Sequence, residues 1–204
     1  MTLREGVKYK DIPFFIPNCG RDNLPEFFKS RGFTVGAEIG VYKGAFTEKF
    51  CKVGLKMYAV DPWRAFKGQG RNQNRQERQD FLYGHTKRLL APYDCTVIRK
   101  TSMDALEDFE DKSLDFVYID GNHSFRYIAA DIAEWSKKVR SKGIVSGHDY
   151  YCVHPHATNS ICQVKPVVDA YVEAFGIDSF YVFGALENPK AKDDKTPSWM
   201  WFKK

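Results

Sequence analysis

Residues 35–61 read VGAEIGVYKGAFTEKFCKVGLKMYAVD, and this stretch decides the fold. One apolar run reaches Glu38, a second apolar run stops at Asp61, and an amphipathic segment with apolar residues at helical spacing lies between them. The pattern predicts a strand, a helix and a second strand, with both strands buried under crossover helices. Ligands of open α/β sheets bind beyond the carboxyl ends of the strands, so the two acids mark the expected site.

The glycine spacing in the first turn indicates which ligand this site takes. The pattern Glu38-x-Gly40-x-x-x-Gly44 lacks the G-x-G-x-x-G spacing of dinucleotide-binding folds. A carboxylate at this turn repels phosphate, but it attracts a cationic amino group. Asp61 lies where an acid typically accepts hydrogen bonds from both hydroxyls of a ribose. Together these residues predict a nucleoside that carries a positively charged amino acid tail.

Two short segments of this stretch carry a family resemblance. AEIGVYKG at 37–44 and YAVDPW at 58–63 resemble the first two motifs of class I S-adenosylmethionine-dependent methyltransferases. The resemblance implies a Rossmann-like α/β fold with helices on both faces of a seven-stranded sheet, in the order 3-2-1-4-5-7-6 with strand 7 antiparallel. It also implies S-adenosylmethionine as the cofactor. The cofactor-binding residues implied here are Glu38, Gly40, Gly44, Asp61 and Trp63.

Two later segments extend the resemblance to a narrower group. YIDGNHSF at 118–125 and KGIVSGHDYY at 142–151 are similar to a subgroup of small methyltransferases that act on oxygen. By this resemblance, Ser102 and Met103 after the third predicted strand contact the adenine ring, and Asp120 after the fourth strand belongs to the cofactor site. For Ser102 the alternative role is N-capping of the short helix that follows.

The predicted general base is His123. Its imidazole, with a reference pKa of about 6.5, can take a proton from an acceptor hydroxyl near neutral pH. Catechol-type O-methyltransferases carry their catalytic base, a lysine, at the corresponding position three residues after the acid of the fourth strand. Asp120 and Asp149 join His123 as the predicted catalytic residues.

The same comparison leaves metal dependence open. In that group the acid of strand four and an acid-amide pair after strand five hold magnesium, which lowers the pKa of the acceptor oxygens. Asp120 and Asp149 match the two acids and are the predicted ligands of Mg²⁺ or another divalent cation, but Tyr150 stands where the amide belongs. His148, water and acceptor oxygens are the alternatives for the missing ligand. Asp149 has an alternative role as a hydrogen-bonding partner of the substrate without a metal.

Length and composition favour one domain that includes all of 1–204, with an arm and helix at 1–34 and the catalytic core at 35–204. The five cysteines form no C-x-x-C pair and are interpreted as reduced thiols. No apolar run approaches the length of a membrane span, and the first residues lack the apolar core of a signal peptide. We therefore expect a cytoplasmic protein with no membrane partner.

The segment IPFFIP at 12–17 belongs to this arm. Its prolines predict an ordered but irregular segment rather than a helix. Its apolar side chains need a cover, and the alternatives are packing on the domain, closure over the site, and burial against a second subunit. A homodimer is therefore one of the expected arrangements.

The formal net charge of +5 is concentrated in the segment Arg64–Arg88. Its arginines share one side at helical spacing and lack interleaved aromatic residues, which favours a solvated helix face and a small-molecule acceptor over nucleic acid. Two alternative function classes remain: a nucleotide-dependent oxidoreductase on a related fold, and a non-catalytic cofactor- or RNA-binding protein that uses this basic stripe. The sequence identifies neither the acceptor nor the roles of His148, His154 and His156.

Overall fold

The computed structural model describes residues 1–9, 12–66, 75–153, 161–184 and 196–204. The helices are α1 (Leu3–Gly6), α2 (Leu24–Ser30), α3 (Ala45–Lys52), α4 (Gln76–Leu90), α5 (Ser102–Ala105), α6 (Phe125–Lys138) and α7 (Val164–Ala174). The strands are β1 (Phe14–Ile16), β2 (Val35–Ile39), β3 (Lys56–Val60), β4 (Cys95–Ile98), β5 (Leu114–Ile119), β6 (Val139–Gly147), β7 (Phe180–Phe183) and β8 (Ser198–Phe202). Short 3₁₀ turns occupy Arg21–Asn23 and Leu106–Asp108.

The strands form one sheet of eight in the order β1-β7-β8-β6-β5-β2-β3-β4. Strand β8 runs antiparallel to both β6 and β7, and the other pairs are parallel. The predicted Rossmann-like α/β fold is thus confirmed. The seven strands expected from the sequence keep their predicted order, and the predicted count is corrected to eight because β1 joins the edge.

The N-terminal arm is more regular than its prolines predict. It begins with the short helix α1, which is closed by a capping box between Thr2 and Glu5. Strand β1 then pairs in parallel with β7. The prolines permit this pairing because Pro13 and Pro17 flank the paired residues and leave the N–H groups between them available. Ile16 is buried, Phe14 is partly buried and Phe15 is exposed, so β1 packs only part of its apolar side chains on the domain itself.

Apolar residues fill both faces of the sheet, as the predicted crossover helices require. Helices α1 to α4 pack on one face, where the phenylalanines of α2 and α3 meet Phe116 and Tyr118 of β5. Helices α5 to α7 pack on the other face, where Trp135 of α6 is fully buried. Burial of this apolar surface on both faces is the main stabilising contribution of the fold.

Backbone hydrogen bonds continue past the strand ends at the carboxyl edge of the sheet. Gly40 N donates to Val60 O at 2.9 Å and Asp120 N donates to Ile39 O at 2.8 Å. Two further bonds of this kind join Asp61 N to Ile98 O and His148 N to Ile119 O. These bonds fix the loops after β2, β3, β5 and β6 relative to one another, so side chains at these positions share one edge.

Within the described ranges, no helix has both the length and the apolar character that a membrane span requires.

Candidate active site

Glu38 lies near the carboxyl end of β2 and is almost completely buried. Thr47 Oγ1 of α3 donates a short hydrogen bond to Glu38 Oε2. Burial raises the pKa of Glu38 to about 8, although the Thr47 hydrogen bond works in the opposite direction. An acid in this state holds a proton at neutral pH, and a bound cation would favour its ionised form.

The turn after β2 needs glycine at two positions. Gly40 has φ +93°, and a Cβ atom there would lie 2.2 Å from the carbonyl oxygen of Asp120. Gly44 has φ +80°, and a Cβ atom there would lie 2.9 Å from a methyl group of Thr86. The glycine pattern noted in the sequence thus reflects close approach of the chain to neighbouring segments as well as positive φ.

Asp61 follows β3 and is held by backbone amides. Its Oδ2 accepts from Tyr42 N at 3.0 Å and its Oδ1 accepts from Trp63 N at 2.8 Å. Burial raises the pKa of Asp61, and these amide hydrogen bonds oppose that effect. The carboxylate is therefore oriented at the strand end, and because two carboxylate oxygens offer about four lone-pair sites, it can accept from a further donor.

Trp63 differs from the expectation of direct cofactor contact. Its side chain has no exposed surface, and its indole N–H donates to the carbonyl oxygen of Tyr42 at 2.9 Å. Its ring packs against Tyr83 of α4. In this structure Trp63 therefore fixes the glycine-containing turn after β2. The backbone N–H of Tyr42 in this turn contacts Asp61.

Ser102 and Met103 begin helix α5 after β4. Ser102 is not the N-cap, because Thr101 takes that position and its Oγ1 accepts from Asp104 N at 3.2 Å. Ser102 Oγ instead donates to Asp131 Oδ1 and accepts from the indole N–H of Trp135. Burial raises the pKa of Asp131 to about 6, and the Ser102 hydrogen bond lowers it. Met103 is exposed at this edge.

The residues predicted to be catalytic converge at the carboxyl ends of β5 and β6. His123 Nε2 lies 3.2 Å from Asp149 Oδ2 and 3.4 Å from Asp120 Oδ1. His148 is also present, with Nδ1 3.2 Å from Asp149 Oδ1 and 3.9 Å from Asp120 Oδ2. The other three residues follow Asp120 by 3 to 29 positions in the sequence, and the fold brings all four side chains into one cluster.

The charges in this cluster shift the pKa values in opposite directions. Burial would lower the pKa of His123, but the hydrogen bond to Asp120 and the charges of Asp149 and Asp120 outweigh it and raise that pKa. Burial would raise the pKa of Asp149, but hydrogen bonds from His148 and Thr196, together with the charges of both histidines, lower it to about 2. Asp149 is thus ionised at neutral pH and stabilises an imidazolium beside it.

Two neighbours of the cluster were missed in the sequence. Thr196 donates to Asp149 Oδ1 at 2.6 Å, and Arg21 Nη1 lies 3.4 Å from Asp120 Oδ2. His148 was considered in the sequence as an alternative for the missing metal ligand, and in the structure it contacts both acids. Arg21 and Thr196 lie far from the motifs in sequence, so no local pattern could have indicated them.

Tyr150 stays outside the cluster. Its hydroxyl donates to Asp169 of α7, and burial raises its pKa further above the ordinary range. It therefore does not supply the third metal ligand whose position it occupies in the sequence. His123 offers a nitrogen there instead. In the described part of the chain, Asp120, His123 and Asp149 present ligand atoms that all lie within 4.8 Å of one another.

This donor set fits a divalent cation. Two carboxylates and one imidazole suit cations such as Mn²⁺, Fe²⁺ or Zn²⁺, whereas Mg²⁺ prefers oxygen ligands alone. The carboxylates also have partners within the protein, since the Arg21 guanidinium contacts Asp120 and the His148 imidazole contacts Asp149.

Some predicted features lie outside the described residues. They include His154 and His156, and the part of the basic stripe at 67–74. Of the described basic residues in the stripe, Arg75, Arg78, Lys87 and Arg88 are exposed. Their exposure agrees with the solvated helix face that the sequence favours.

Comparison with known proteins identifies the family. Residues 37–150, more than half of the chain, match a family described as "Methyltransferase domain". The chain belongs to this family of methyltransferases, and the recognition of a class I S-adenosylmethionine-dependent enzyme is confirmed. The matched segment runs from β2 to Tyr150 and thus contains the cluster of Asp120, His123 and Asp149.

Individual relatives are more distant. A protein named "Uncharacterized protein y4gI" from Sinorhizobium fredii (strain NBRC 101917 / NGR234) is 29% identical over 122 residues, which are 55% of this chain and only 12% of that protein. An O-methyltransferase from Bacillus cereus, solved in complex with SAH, shares 15% identity with a TM-score of 0.63, covering 90% of this chain and 80% of the other. The N-methyltransferase NodS from Bradyrhizobium japonicum WM9 shares 12% identity with a TM-score of 0.58, covering 90% and 94%.

Proposed function

We propose that this protein transfers the methyl group of S-adenosylmethionine to a hydroxyl oxygen of a small molecule, with His123 as the general base. The observation that carries the proposal is the position of His123 Nε2 between two carboxylates, 3.2 Å from Asp149 and 3.4 Å from Asp120. The similarity to the Bacillus cereus O-methyltransferase with bound SAH supports the choice of cofactor and of oxygen as the acceptor atom.

The cofactor would lie along the carboxyl edge from β2 to β4. Glu38 would receive its ammonium group, Asp61 its ribose hydroxyls, and the segment of Ser102 and Met103 its adenine ring. When bound, the cofactor supplies an electrophilic methyl group to an acceptor oriented in line with it. Gly40 lets the chain pass close to this position without a side chain.

The protein then needs to remove one proton from the acceptor oxygen. Neutral His123 takes that proton through its imidazole ring, and the imidazolium that forms is stabilised by Asp149 and Asp120, which face its Nε2. Because these carboxylates raise the pKa of His123, the base is active on the alkaline side of that pKa. His148 and Thr196 hold Asp149 in position for this role.

A metal-assisted reaction is the second candidate, because Asp120, His123 and Asp149 also form a suitable ligand set. A cation held there would polarise the acceptor oxygen. The two roles of His123 exclude each other, since a neutral imidazole that coordinates a metal through one nitrogen carries its proton on the other and has no lone pair left for a substrate proton. We favour the base because Arg21 and His148 already contact the two acids.

Transfer of a radiolabelled methyl group from S-adenosylmethionine to a panel of phenols, catechols and aliphatic alcohols tests the proposal. We expect His123→Gln to retain cofactor affinity and to lose at least about a hundredfold in turnover, as loss of a general base does. His85→Gln, on the exposed surface of α4, is the matched control and should leave turnover unchanged. Equal loss of cofactor binding and turnover in His123→Gln would show that His123 is structural.

Chelation separates the two roles of the cluster. After dialysis against EDTA, the base mechanism predicts full turnover, with no gain on addition of Mn²⁺ or Mg²⁺. Turnover that disappears with EDTA and returns with Mn²⁺ would favour the metal-assisted reaction instead.

The acceptor atom and the partners are parts of the same proposal. NodS is an N-methyltransferase with the same fold, so the same panel should include primary amines. A small-molecule acceptor, a cytoplasmic location and a homodimer through the arm are proposed on the sequence evidence. Sedimentation at several protein concentrations tests the dimer.

A further inference from the structure

A groove of about 490 Å³ lies between the N-terminal arm and helix α7. Ile12 and Pro13 line it on the side of the arm, and Val172 of α7 and Phe180 of β7 contribute buried apolar side chains. Ile12 is 50% exposed, so half of this apolar side chain faces solvent. The groove therefore offers apolar surface to another molecule.

The rim of this groove is acidic. Its acids are Asp169 and Glu173 of α7 and Asp178 before β7. Lysines pair with two of them, as Asp169–Lys165 and Asp178–Lys204. Glu173 is exposed and forms no ion pair with a described residue. The last turn of α7 has no basic side chain that would offset the partial negative charge of the helix C-terminus. The groove thus suits an occupant that combines an apolar side chain with positive charge.

The outer side of helix α4 carries this combination. Phe81 is 67% exposed, which is the largest exposed fraction among the large apolar side chains of the described residues. Arg78 lies three residues before Phe81 and Arg88 lies seven residues after it, so helical spacing places all three on one side of α4. Both arginines are exposed. An aromatic ring between two cations is complementary to an apolar groove with an acidic rim.

The groove and the outer side of α4 lie at opposite ends of the molecule. Helix α4 is tied to β4 by the ion pair of Asp80 with Arg99, and β4 is the outermost strand at one edge of the sheet. The groove lies beside β7 and the arm, at the other edge. A contact between two different surfaces of the same chain is heterologous, so each protomer in a pair retains one unused surface of each kind between them.

We propose that the groove binds helix α4 of a second copy of this chain, with Phe81 of one protomer between Ile12 and α7 of its partner. Arg78 and Arg88 then lie on the side of Glu173. The contact gives the homodimer through the arm a named second surface, and further protomers add head to tail as the concentration rises. It uses no residue of the candidate active site and does not depend on the cofactor or the reaction.

Sedimentation velocity of the wild-type protein at about 1 to 200 µM tests this association. We expect the sedimentation coefficient to rise with concentration, and to rise less when NaCl increases from about 50 to about 500 mM, because salt screens the charges at the contact. Phe81→Ser and Glu173→Lys should each weaken the association at least about tenfold. Phe125→Ser at the start of α6 and Glu107→Lys in the second 3₁₀ turn change exposed residues outside both surfaces. These two controls should associate like the wild-type protein.

A mixture of the two disrupting variants tests the head-to-tail arrangement. Phe81→Ser retains an intact groove and Glu173→Lys retains an intact α4, so their equimolar mixture should form a complex of two chains and no larger one. A wild-type protein that stays monomeric at the highest concentration, a variant that associates like the wild type, or a mixture that stays monomeric would overturn the proposal. Failure to bind S-adenosylhomocysteine would overturn the proposed function alone, because no readout of the association involves that ligand.

Discussion

His123 Nε2 lies 3.2 Å from Asp149 Oδ2, which joins the loop after β5 to the loop after β6. The Asp149 carboxylate orients the imidazole, and Asp120 Oδ1 lies 3.4 Å from the same nitrogen. This arrangement makes the protonation of His123 depend on residues that follow two different strands. The protonation can be measured without knowledge of the acceptor.

The first prediction concerns that protonation. NMR titration of the imidazole carbons should show a pKa of His123 above its ordinary value of 6.5 in the wild-type protein. Asp149→Asn should lower this pKa, because a neutral amide no longer stabilises the imidazolium. Asp111→Asn, an exposed partner of Lys138, is the control and should not move it. An unchanged titration in Asp149→Asn would contradict the coupling.

The second prediction follows from the buried acid of β2. Free Glu38 has a pKa of about 8 and is mainly protonated at pH 7, whereas a bound ammonium group favours its ionised form. Binding of S-adenosylhomocysteine at pH 7 should therefore release up to one proton. Calorimetry in buffers of different ionisation enthalpy measures that number.

Two variants test whether the released proton comes from Glu38. Glu38→Gln should reduce it to near zero and weaken the ligand, whereas Glu48→Gln, at the salt bridge to Lys52 on the surface of α3, should retain it. The assignment of Glu38 to the ammonium group would be wrong if wild-type protein and Glu38→Gln released the same number of protons.

The third prediction concerns the effect of Glu38 on how the stability of the protein depends on pH. The pKa of Glu38 is raised in the folded state above its ordinary value of 4.5, so folding favours the protonated acid. The stability penalty is absent below pH 4.5 and grows as the pH rises toward 8. Glu38→Gln should therefore have a higher melting temperature than the wild-type protein at pH 8 and a similar one at pH 4.5. An equal difference in melting temperature at both pH values would refute this explanation.

The fourth prediction separates the two reasons for glycine in the turn after β2, which are the positive φ and the lack of space for a Cβ atom. Gly32 has φ +78° with no atom within 4 Å of the position that a Cβ would take, whereas a Cβ at Gly40 would lie 2.2 Å from Asp120 O. Gly32→Ala should thus cost only about 1 kcal/mol from its backbone conformation. Gly40→Ala should cost more than about 3 kcal/mol, because the loops after β2 and β5 must separate. Denaturant unfolding compares them, and equal losses would exclude the steric explanation.

The acids of the site could be predicted from sequence because strand ends in a parallel sheet meet at one edge. The apolar runs located the strands, and the residues after each run, such as Asp61 and Asp120, then had to lie along one edge of the sheet. The same logic placed His123 near Asp149. The register of β2 with β3 and β5 shows the basis of this success.

The remaining features depend on tertiary contacts that no local pattern encodes. Arg21 reaches the site only because β1 adds to the edge of the sheet, and Thr196 reaches Asp149 through the segment before β8. Trp63 resembled a cofactor contact in its motif, but packing against Tyr83 buries it. Ser102 likewise turned toward Trp135, since the N-cap position was already taken by Thr101.

The most direct test of the central claim is a calorimetric titration of S-adenosylhomocysteine into the wild-type protein and Asp61→Ala, with Asp178→Ala as the control. Asp178 is exposed and precedes β7, toward the opposite edge of the sheet from Asp61. We expect one saturable site in the wild-type protein, affinity at least about tenfold weaker in Asp61→Ala through loss of the ribose contacts, and no change in Asp178→Ala. Absence of binding at millimolar ligand, or equal affinity in all three proteins, would contradict the claim.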